Sequence, residues 1–542
     1  MVLDKRLIVY AILFMVICCI AASLRLPQLE LRPVHGDEAN QIVKTGILFE
    51  AGEYKYDPHE HHGPTLYYLA LPVLWCSGKA SFAETSIIHY RIVPVIFGVL
   101  AIALLWFMRD ALGSGGMLWA ALLLAVSHIM TYYSRYYIQE MLLVCFTQAV
   151  FAAAWRLWRA PRIGAAVLLG VSLGLVHATK ETSALIAISI AGAAVLTMGY
   201  TRVREGETPA GMMRSLRVAN APKYAAVVCA VALLISVTLF SSFFSNLRGV
   251  LDSLLTYAYY LDRAEGGGSA AMHDKPWYYY IVLLAYTHRQ AGPRWSEALT
   301  LLLALVGAAA ALLPGASGQK ADTLWRALLF RRFLVFYALL VWLLYSLIPY
   351  KTPWNALVPY HAAALAAGIG ANAIIRVGRW RALQAALCML FLAGVTQMAR
   401  QNYQGNYVYP ADVRNPYVYA HPSTALRRLM TRINDIAAIS DKAADIHINI
   451  IRLDGDYWPL PWYLRGFTTV GWWHRIPDRP DADIILAAPE LYEILQERLK
   501  NDYLVEFHAL RPDMPLHTYI RRDLWDAFME TRQAHIPARS GG

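Results

Sequence analysis

The chain is 542 residues long, 57% hydrophobic and 16% charged, against about 25% charged in an ordinary soluble domain. With a mean hydropathy of +0.37, that composition argues against a soluble globular protein and predicts a multispan membrane protein. The formal charge of +11 comes from short basic clusters between apolar runs, the pattern of loops under the positive-inside rule, so no nucleic-acid partner is expected.

In chain order, the first apolar run (6–23) reads as a signal anchor, because no small-x-small cleavage site precedes a soluble remainder. The first outer loop (24–90) carries R-P-V-H-G-D-E-A-N-Q and then Y-D-P-H-E-H-H-G-P-T-L-Y-Y. It holds the adjacent carboxylates Asp37 and Glu38 behind His35, and a second polar knot of His59, Glu60, His61 and His62. A loop that only links two helices has no need of carboxylates, imidazoles and two X-Pro constraints together, so this stretch is the expected active site, lying against a membrane. Further spans are expected at 91–108, 115–132, 137–155, 163–179, 182–200, 224–244, 297–313, 333–348, 354–375 and 381–398, about eleven in all at roughly 20 apolar residues each. The shorter apolar patches 65–76 and 277–287 read as juxtamembrane or re-entrant helices.

The basic clusters Lys5/Arg6, Arg109, Arg156/Arg159/Arg162, Arg202/Arg204/Arg214/Arg217/Lys223, Lys320/Arg326/Arg331/Arg332 and Arg376/Arg379/Arg381 all fall on one side of this layout. That side is expected to be cytoplasmic, which puts the N-terminus inside and the C-terminus outside a cell (inner or plasma) membrane. The first loop, Arg135 and Glu140, Lys180 and Glu181, the 245–296 loop with its Gly266–Gly268 run, and Lys351 then share the outer face. Polar groups at helix ends are costly unless they line water or pair with one another, so a shared cavity is predicted there. The six cysteines have neither disulfide nor zinc spacing and read as small apolar residues.

From about residue 400 a polar, aromatic, turn-rich stretch reads as a linker. An amphipathic segment (425–440), strand-like runs (445–453, 483–488, 503–509, 516–521) and a helix over 490–500 follow it. The expected architecture is a mainly α polytopic domain (1–399) followed by a small extracytoplasmic α/β domain (400–542).

Asp37 and Glu38 are the candidate catalytic carboxylates: an acid at the rim of an apolar cavity can act as a general base or hold a cation. In an extended segment the two would point to opposite sides, which predicts different tasks for them. Alternation likewise separates His59 and His61 from Glu60 and His62, so the four do not converge easily on a metal. Metal independence is expected, a divalent ion remains open, and the imidazoles are read as contacts to a donor phosphate or sugar. Arg91, Arg135, Lys180 and Lys351, with Glu140 beside them, form the candidate donor clamp, since positive charge is needed where a phosphate leaves. The bland alternative is that Glu140 and Glu181 neutralise Arg135 and Lys180 in structural ion pairs. In the C-terminal domain Asp454, Asp456, Trp458, Trp462 and Arg465 are candidate acceptor-side residues. Pro459 and Pro461 are expected to hold that run extended, with its rings presented for stacking on a sugar.

An N-terminal span, a first outer loop with Asp-Glu, then H-G-P-x-L-Y-Y-L and a span opening with Arg91 resemble the GT-C glycosyltransferases of the protein O-mannosyltransferase and lipid A aminoarabinose transferase superfamily. Within it, G-D-E-A, Y-S-R, T-K-E-T, K-T-P-W and W-P-L-P-W-Y-L-R are similar to a family named as flippase-activity-associated in archaeal N-glycosylation. The resemblance implies a membrane transferase of the protein O-mannosyltransferase type that takes sugar from a polyprenyl-phosphate donor to a glycan, lipid or protein acceptor. Asp37 would be its catalytic acid and Arg91 the Arg that opens its next span. H-H-G-P stands here where the aminoarabinose enzymes carry a Lys before Pro-Pro. The rival expectation is a flippase, or flippase accessory, that binds lipid-linked glycan without bond chemistry.

Overall fold

The computed structural model describes residues 5–59, 62–208, 210–211, 214, 217–264, 273–314, 322–378, 380–422, 424–512 and 514–534. Glu60, His61, the glycine run 266–268, Lys320 and Arg379 lie outside the described residues. In chain order the first helices are α1 (Lys5–Ser23), α2 (Gly36–Ala51), α3 (Thr65–Cys76) and α4 (Ile87–Leu112, with a 3-10 turn at Leu104–Met108). Then come α5 (Ser114–Val126), α6 (His128–Ser134), α7 (Glu140–Arg159), α8 (Ile163–His177), α9 (Ser183–Glu205), α10 (Ala221–Phe240), α11 (Arg248–Ala264) and α12 (Tyr279–Ala285). After a two-stranded hairpin, β1 (Thr287–His288) and β2 (Arg294–Trp295), the apolar part ends with α13 (Ala298–Leu312), α14 (Asp322–Leu347), α15 (Leu357–Val377) and α16 (Arg381–Tyr403).

Eight of these helices are long and apolar enough to cross a membrane, nine if the bent pair α5–α6 is one span. The protein is a multi-pass membrane protein. The two other expected spans, α8 and α13, are 15 residues each, short of the roughly 20 that a perpendicular crossing needs. The stretch read as a linker from residue 400 continues α16 and a π-helical turn at Gln404–Val408 instead. Its backbone polar groups are thereby satisfied within the helix, where a linker would leave them to water.

Compact packing divides the chain into two units: residues 1–29, 53–73 and 88–419, and residues 30–52, 74–87 and 420–542. The first unit is a helical bundle whose backbones approach through small residues. A Cβ on Gly307 of α13 would stand 1.9 Å from the Ala366 carbonyl of α15, and one on Gly370 would stand 2.0 Å from the Leu303 carbonyl. Where lipid replaces water outside, such close contact is what holds helices together. Alternate ends of the same helices carry different chemistry. At one end Arg159 pairs with Asp110, Arg326 donates to the Trp158 carbonyl at 2.7 Å and Arg332 pairs with Glu205. The opposite ends, Glu140 of α7, residues 178–182 and residues 348–356, carry the polar residues described below.

The second unit has a five-stranded sheet in the order β4-β3-β5-β7-β6, built from β3 (Ile448–Ile451), β4 (Val470–Trp473), β5 (Ile484–Ala487), β6 (Tyr503–Arg511) and β7 (Met514–Arg521). β3 pairs in parallel with β4 and β5, and β7 antiparallel with β5 and β6. Ile448, Ile450, Ile484 and Leu486 face one apolar core with Leu429 and Ile433 of α17 (Thr424–Ile439) and Leu460 of the short α18 (Leu460–Tyr463). Ile451 and Ile485 face the other core, with Leu495 of α19 (Tyr492–Arg498). Period-two burial on both faces fits strands covered on each side. Strand β4 and the final helix α20 (Arg522–Ala534) are not evident in the sequence reading. Pro459 and Pro461, expected to hold the chain extended, instead start the helical turn α18, where proline's missing N–H costs nothing in the first turn.

Candidate active site

The second unit contains Asp37 and Glu38. They lie in the first turn of α2, not in an extended segment, because His35 and Glu38 form a capping box. Asp37 N donates to His35 Nδ1 at 3.0 Å and His35 N donates to Glu38 Oε2 at 3.3 Å. The reciprocal bonds satisfy amides that a helix start leaves open. Neighbours on a helix diverge by roughly 100°, and the outcome is a division of labour. Glu38 is fully buried in the cap, while the Asp37 side chain is 52% exposed with its carboxylate 3.9 Å from His35 Nδ1.

Within the same unit α2 is gripped by the W-P-L-P-W-Y-L-R stretch. Val34 N donates to the Tyr463 hydroxyl at 3.0 Å, and a Cβ on Gly36 would be 3.4 Å from Trp458 Cβ. Arg465 donates to the Thr85 carbonyl at 2.6 Å and the Trp462 carbonyl at 2.8 Å, with its guanidinium 3.6 Å from the centre of the Trp462 ring. Phe82 bridges the two sides. Its ring lies on Gly46 of α2 and 6.0 Å from the Trp462 ring, and its amide donates to Glu50. The expected acceptor-side acids are already engaged: Asp454 with Arg452 at 2.6 Å and Asp456 with Arg511 at 2.5 Å. The Arg452 hydrogen bonds hold the Asp454 carboxyl below its ordinary value against modest burial.

The first unit brings together several of the separate motifs. His62 Nδ1 meets Glu181 Oε2 at 2.7 Å and the Tyr260 hydroxyl at 3.2 Å, and the His59 ring lies 4.1 Å from that of Tyr259. Burial pushes the Glu181 carboxyl up, but the His62 imidazole, hydrogen bonds and Lys180 outweigh it and hold the group below its ordinary value. Gly63 explains how the H-G-P loop reaches T-K-E-T so closely: a Cβ there would be 2.3 Å from the Ala178 carbonyl. Thr65 N then donates to that same carbonyl at 3.2 Å.

Lys180 and Glu140 form a buried ion pair, with Asn355 Oδ1 of K-T-P-W-N at 3.3 Å from the ammonium. Glu140 Oε2 is buried without a hydrogen-bond partner among the described residues. Arg91 is buried and donates to the Leu29 carbonyl at 2.6 Å. Arg135 donates to the carbonyls of Arg25, Pro27 and Gln28 at 2.9, 2.6 and 2.9 Å and lies over the Tyr407 ring. Its guanidinium thus ties together the backbone that follows α1. Lys351 donates to the Lys275 carbonyl at 3.1 Å, and burial pulls its ammonium below the ordinary value, with Asp274 opposing. Among the described residues no three His, Cys, Asp or Glu side chains group closely enough to hold a metal ion.

One buried carboxylate went unread in the sequence. Glu297, buried, accepts from Ser127 Oγ (2.9 Å), His128 N (2.8 Å) and the Tyr360 hydroxyl (2.7 Å), and so caps α6 at the 60° break from α5. A lone acid opening an apolar span is the signal that marks it.

The sequence pattern of the dolichyl-phosphate-mannose-protein mannosyltransferase family matches residues 76–216. No curated protein matches the chain by sequence. Among solved structures, the chain is similar to ArnT from Cupriavidus metallidurans bound to undecaprenyl phosphate: TM-score 0.60, 12% identity, 94% of this chain and 97% of that one covered. It is also similar to the archaeal oligosaccharyltransferase AglB from Archaeoglobus fulgidus, in complex with an inhibitory peptide and a dolichol-phosphate: TM-score 0.53, 12% identity, 96% and 77% covered. The chain thus has the GT-C-type fold of the protein O-mannosyltransferase and ArnT superfamily of membrane glycosyltransferases.

Proposed function

We propose that the protein is an integral-membrane glycosyltransferase of the protein O-mannosyltransferase type. It moves a sugar from a polyprenyl-phosphate donor to a glycan, lipid or protein acceptor on the outer face of a cell membrane, with its N-terminus cytoplasmic. The observation that carries this reading is likeness along nearly the whole chain to ArnT, solved with undecaprenyl phosphate bound. The division of the Asp37–Glu38 pair supports the mechanism, since one carboxylate is consumed by the cap and the other is left to act. Asp37 takes the proton of an acceptor hydroxyl as that oxygen attacks the anomeric carbon. The carbon–oxygen bond to the lipid phosphate breaks on the opposite side, the configuration inverts, and the lipid phosphate departs with the bonding pair. His62, oriented through Nδ1 by Glu181, has Nε2 for the donor. Lys180, balanced by Glu140, and Lys351 are cationic candidates for the donor phosphate. A monophosphate leaving group met by cationic side chains has less need of a divalent ion than a pyrophosphate has.

The test is a deletion strain complemented with Asp37→Asn, with surface glycans and lipid-linked intermediates measured by mass spectrometry. The expected outcome is loss of one sugar from the acceptor with the lipid-linked donor retained. Full restoration by Asp37→Asn favours a flippase that needs no base and refutes this reading.

A further inference from the structure

The aromatic run W-P-L-P-W-Y-L-R, expected to face an acceptor, also contacts the start of α2. The α18 turn is anchored in the core of the sheet through Leu460 and Leu464, both nearly fully buried. From that fixed base, the Tyr463 hydroxyl takes the amide of Val34, three residues before Asp37. Trp458 backs Gly36, the residue immediately before it. Arg465 reaches the Thr85 carbonyl, and Phe82, packed between Gly46 of α2 and Trp462, closes the other side of the helix. At the N-terminal approach, Arg427 of α17 donates to the Glu30 carbonyl and the His421 ring lies 5.0 Å from that of the capping His35. Two short pieces of the first loop, 23 and 14 residues long, thus pack within the same unit as residues 420–542.

We propose that the α18 turn is the positioning element for Asp37. Tyr463, Trp458 and Arg465 fix where the first turn of α2 starts, so the C-terminal domain sets the geometry of the base without touching the reacting atoms. This rests on the reading of Asp37 as the base. Reacting groups must sit in near-attack geometry, and a misplacement of about 1 Å from a change remote from the chemistry can cost on the order of a hundredfold in rate. Removing one hydroxyl and one guanidinium at the base of the loop is a perturbation of that kind. The aromatic ring of Tyr463 and the buried Leu460 and Leu464 still seat the turn.

The test uses the full-length protein as wild type, Tyr463→Phe, Arg465→Gln, the double variant and Asp37→Asn. Hydrogen exchange reads the amides of residues 36–42 against those of β3, β5 and β7. Turnover is measured in deletion-strain membranes, whose own acceptors are present, against titrated polyprenyl-phosphate lipids extracted from the producing cells. In the double variant we expect faster exchange at 36–42 with the strands unchanged. Turnover at saturating lipid should fall roughly tenfold or more while the half-saturating lipid concentration stays within about twofold, a loss in the chemical step and not in donor binding. Unchanged exchange over 36–42, or loosened exchange with wild-type turnover while Asp37→Asn is dead, overturns the positioning role alone. Wild-type turnover by Asp37→Asn overturns the base reading, and with it the catalytic meaning of the turn.

Discussion

The Lys180–Glu140 pair offers the sharpest way to separate a binding residue from a structural one. Both side chains are about 5% exposed (6% and 4%), Asn355 Oδ1 is the ammonium's other partner at 3.3 Å, and one carboxylate oxygen has no partner among the described residues. Removing one member of a buried pair strands the other charge and costs about 3–5 kcal/mol, whereas replacing both with apolar groups of similar volume is often neutral or stabilising. Lys180→Met should therefore destabilise the purified protein severely, Glu140→Leu somewhat less because the ammonium retains Asn355, and Lys180→Met/Glu140→Leu should recover most of the loss. The assay is a double-mutant cycle of unfolding midpoints at one scan rate and one lipid-to-protein ratio, paired with transfer activity. If Lys180 only neutralises Glu140, the double variant regains activity along with stability. If Lys180 holds the donor phosphate, the double variant is folded and inactive. A double variant no more stable than Lys180→Met refutes the ion-pair reasoning itself, because stranded charge would not then be the source of the loss.

Gly63→Ala should destabilise by about 1–3 kcal/mol, the usual cost of overpacking, because its Cβ would meet the Ala178 backbone carbonyl at 2.3 Å; a thermal melt indistinguishable from wild type would show that the two loops part freely. Glu181 titrates below its ordinary value of 4.5, so its stabilisation is complete above that pH and is withdrawn as pH falls through the lower folded value. Glu181→Gln should accordingly lower the melting temperature at neutral pH and shrink its decline on acidification, and parallel pH curves for the two proteins would contradict this.

Eight spans, nine with the bent α5–α6 pair, were legible because each is a long apolar run, and membrane interiors tolerate little else. The meeting of H-G-P, T-K-E-T and K-T-P-W was legible for the same reason: polar residues at helix ends have few places to go. What could not be read depends on partners distant in sequence. An extended Asp37-Glu38 was a natural inference from a Pro- and Gly-bearing loop, yet the His35–Glu38 box turns it into a helix start. S/T/D/N-x-x-E is the familiar box, and His in the capping position hid it. Arg135, read as a donor-clamp candidate, also donates to three carbonyls of the residues that follow α1, a contact that sequence spacing does not show. Strand β4, V-G-W-W, has no alternation to betray it, since all four of its residues are only partly buried.

The span between Val34 and Tyr463, 429 residues, bears on how the C-terminal residues should be interrogated. Closing so long a loop costs only about 0.6 kcal/mol more than closing one half its length, since the entropy grows with the logarithm of length. Distance in sequence is therefore no argument against the contact being made firmly in the folded protein. A truncation after residue 400 removes Tyr463, Trp458 and Arg465 together, and with them every C-terminal contact described here for the first loop. Such a protein could insert and bind donor lipid and still fail to transfer, with Asp37 present but unplaced. Its inactivity would not distinguish a lost acceptor site from a lost scaffold. Point changes that spare the sheet core do distinguish them, because a lost acceptor site raises the acceptor concentration required, whereas a lost scaffold lowers turnover at any concentration.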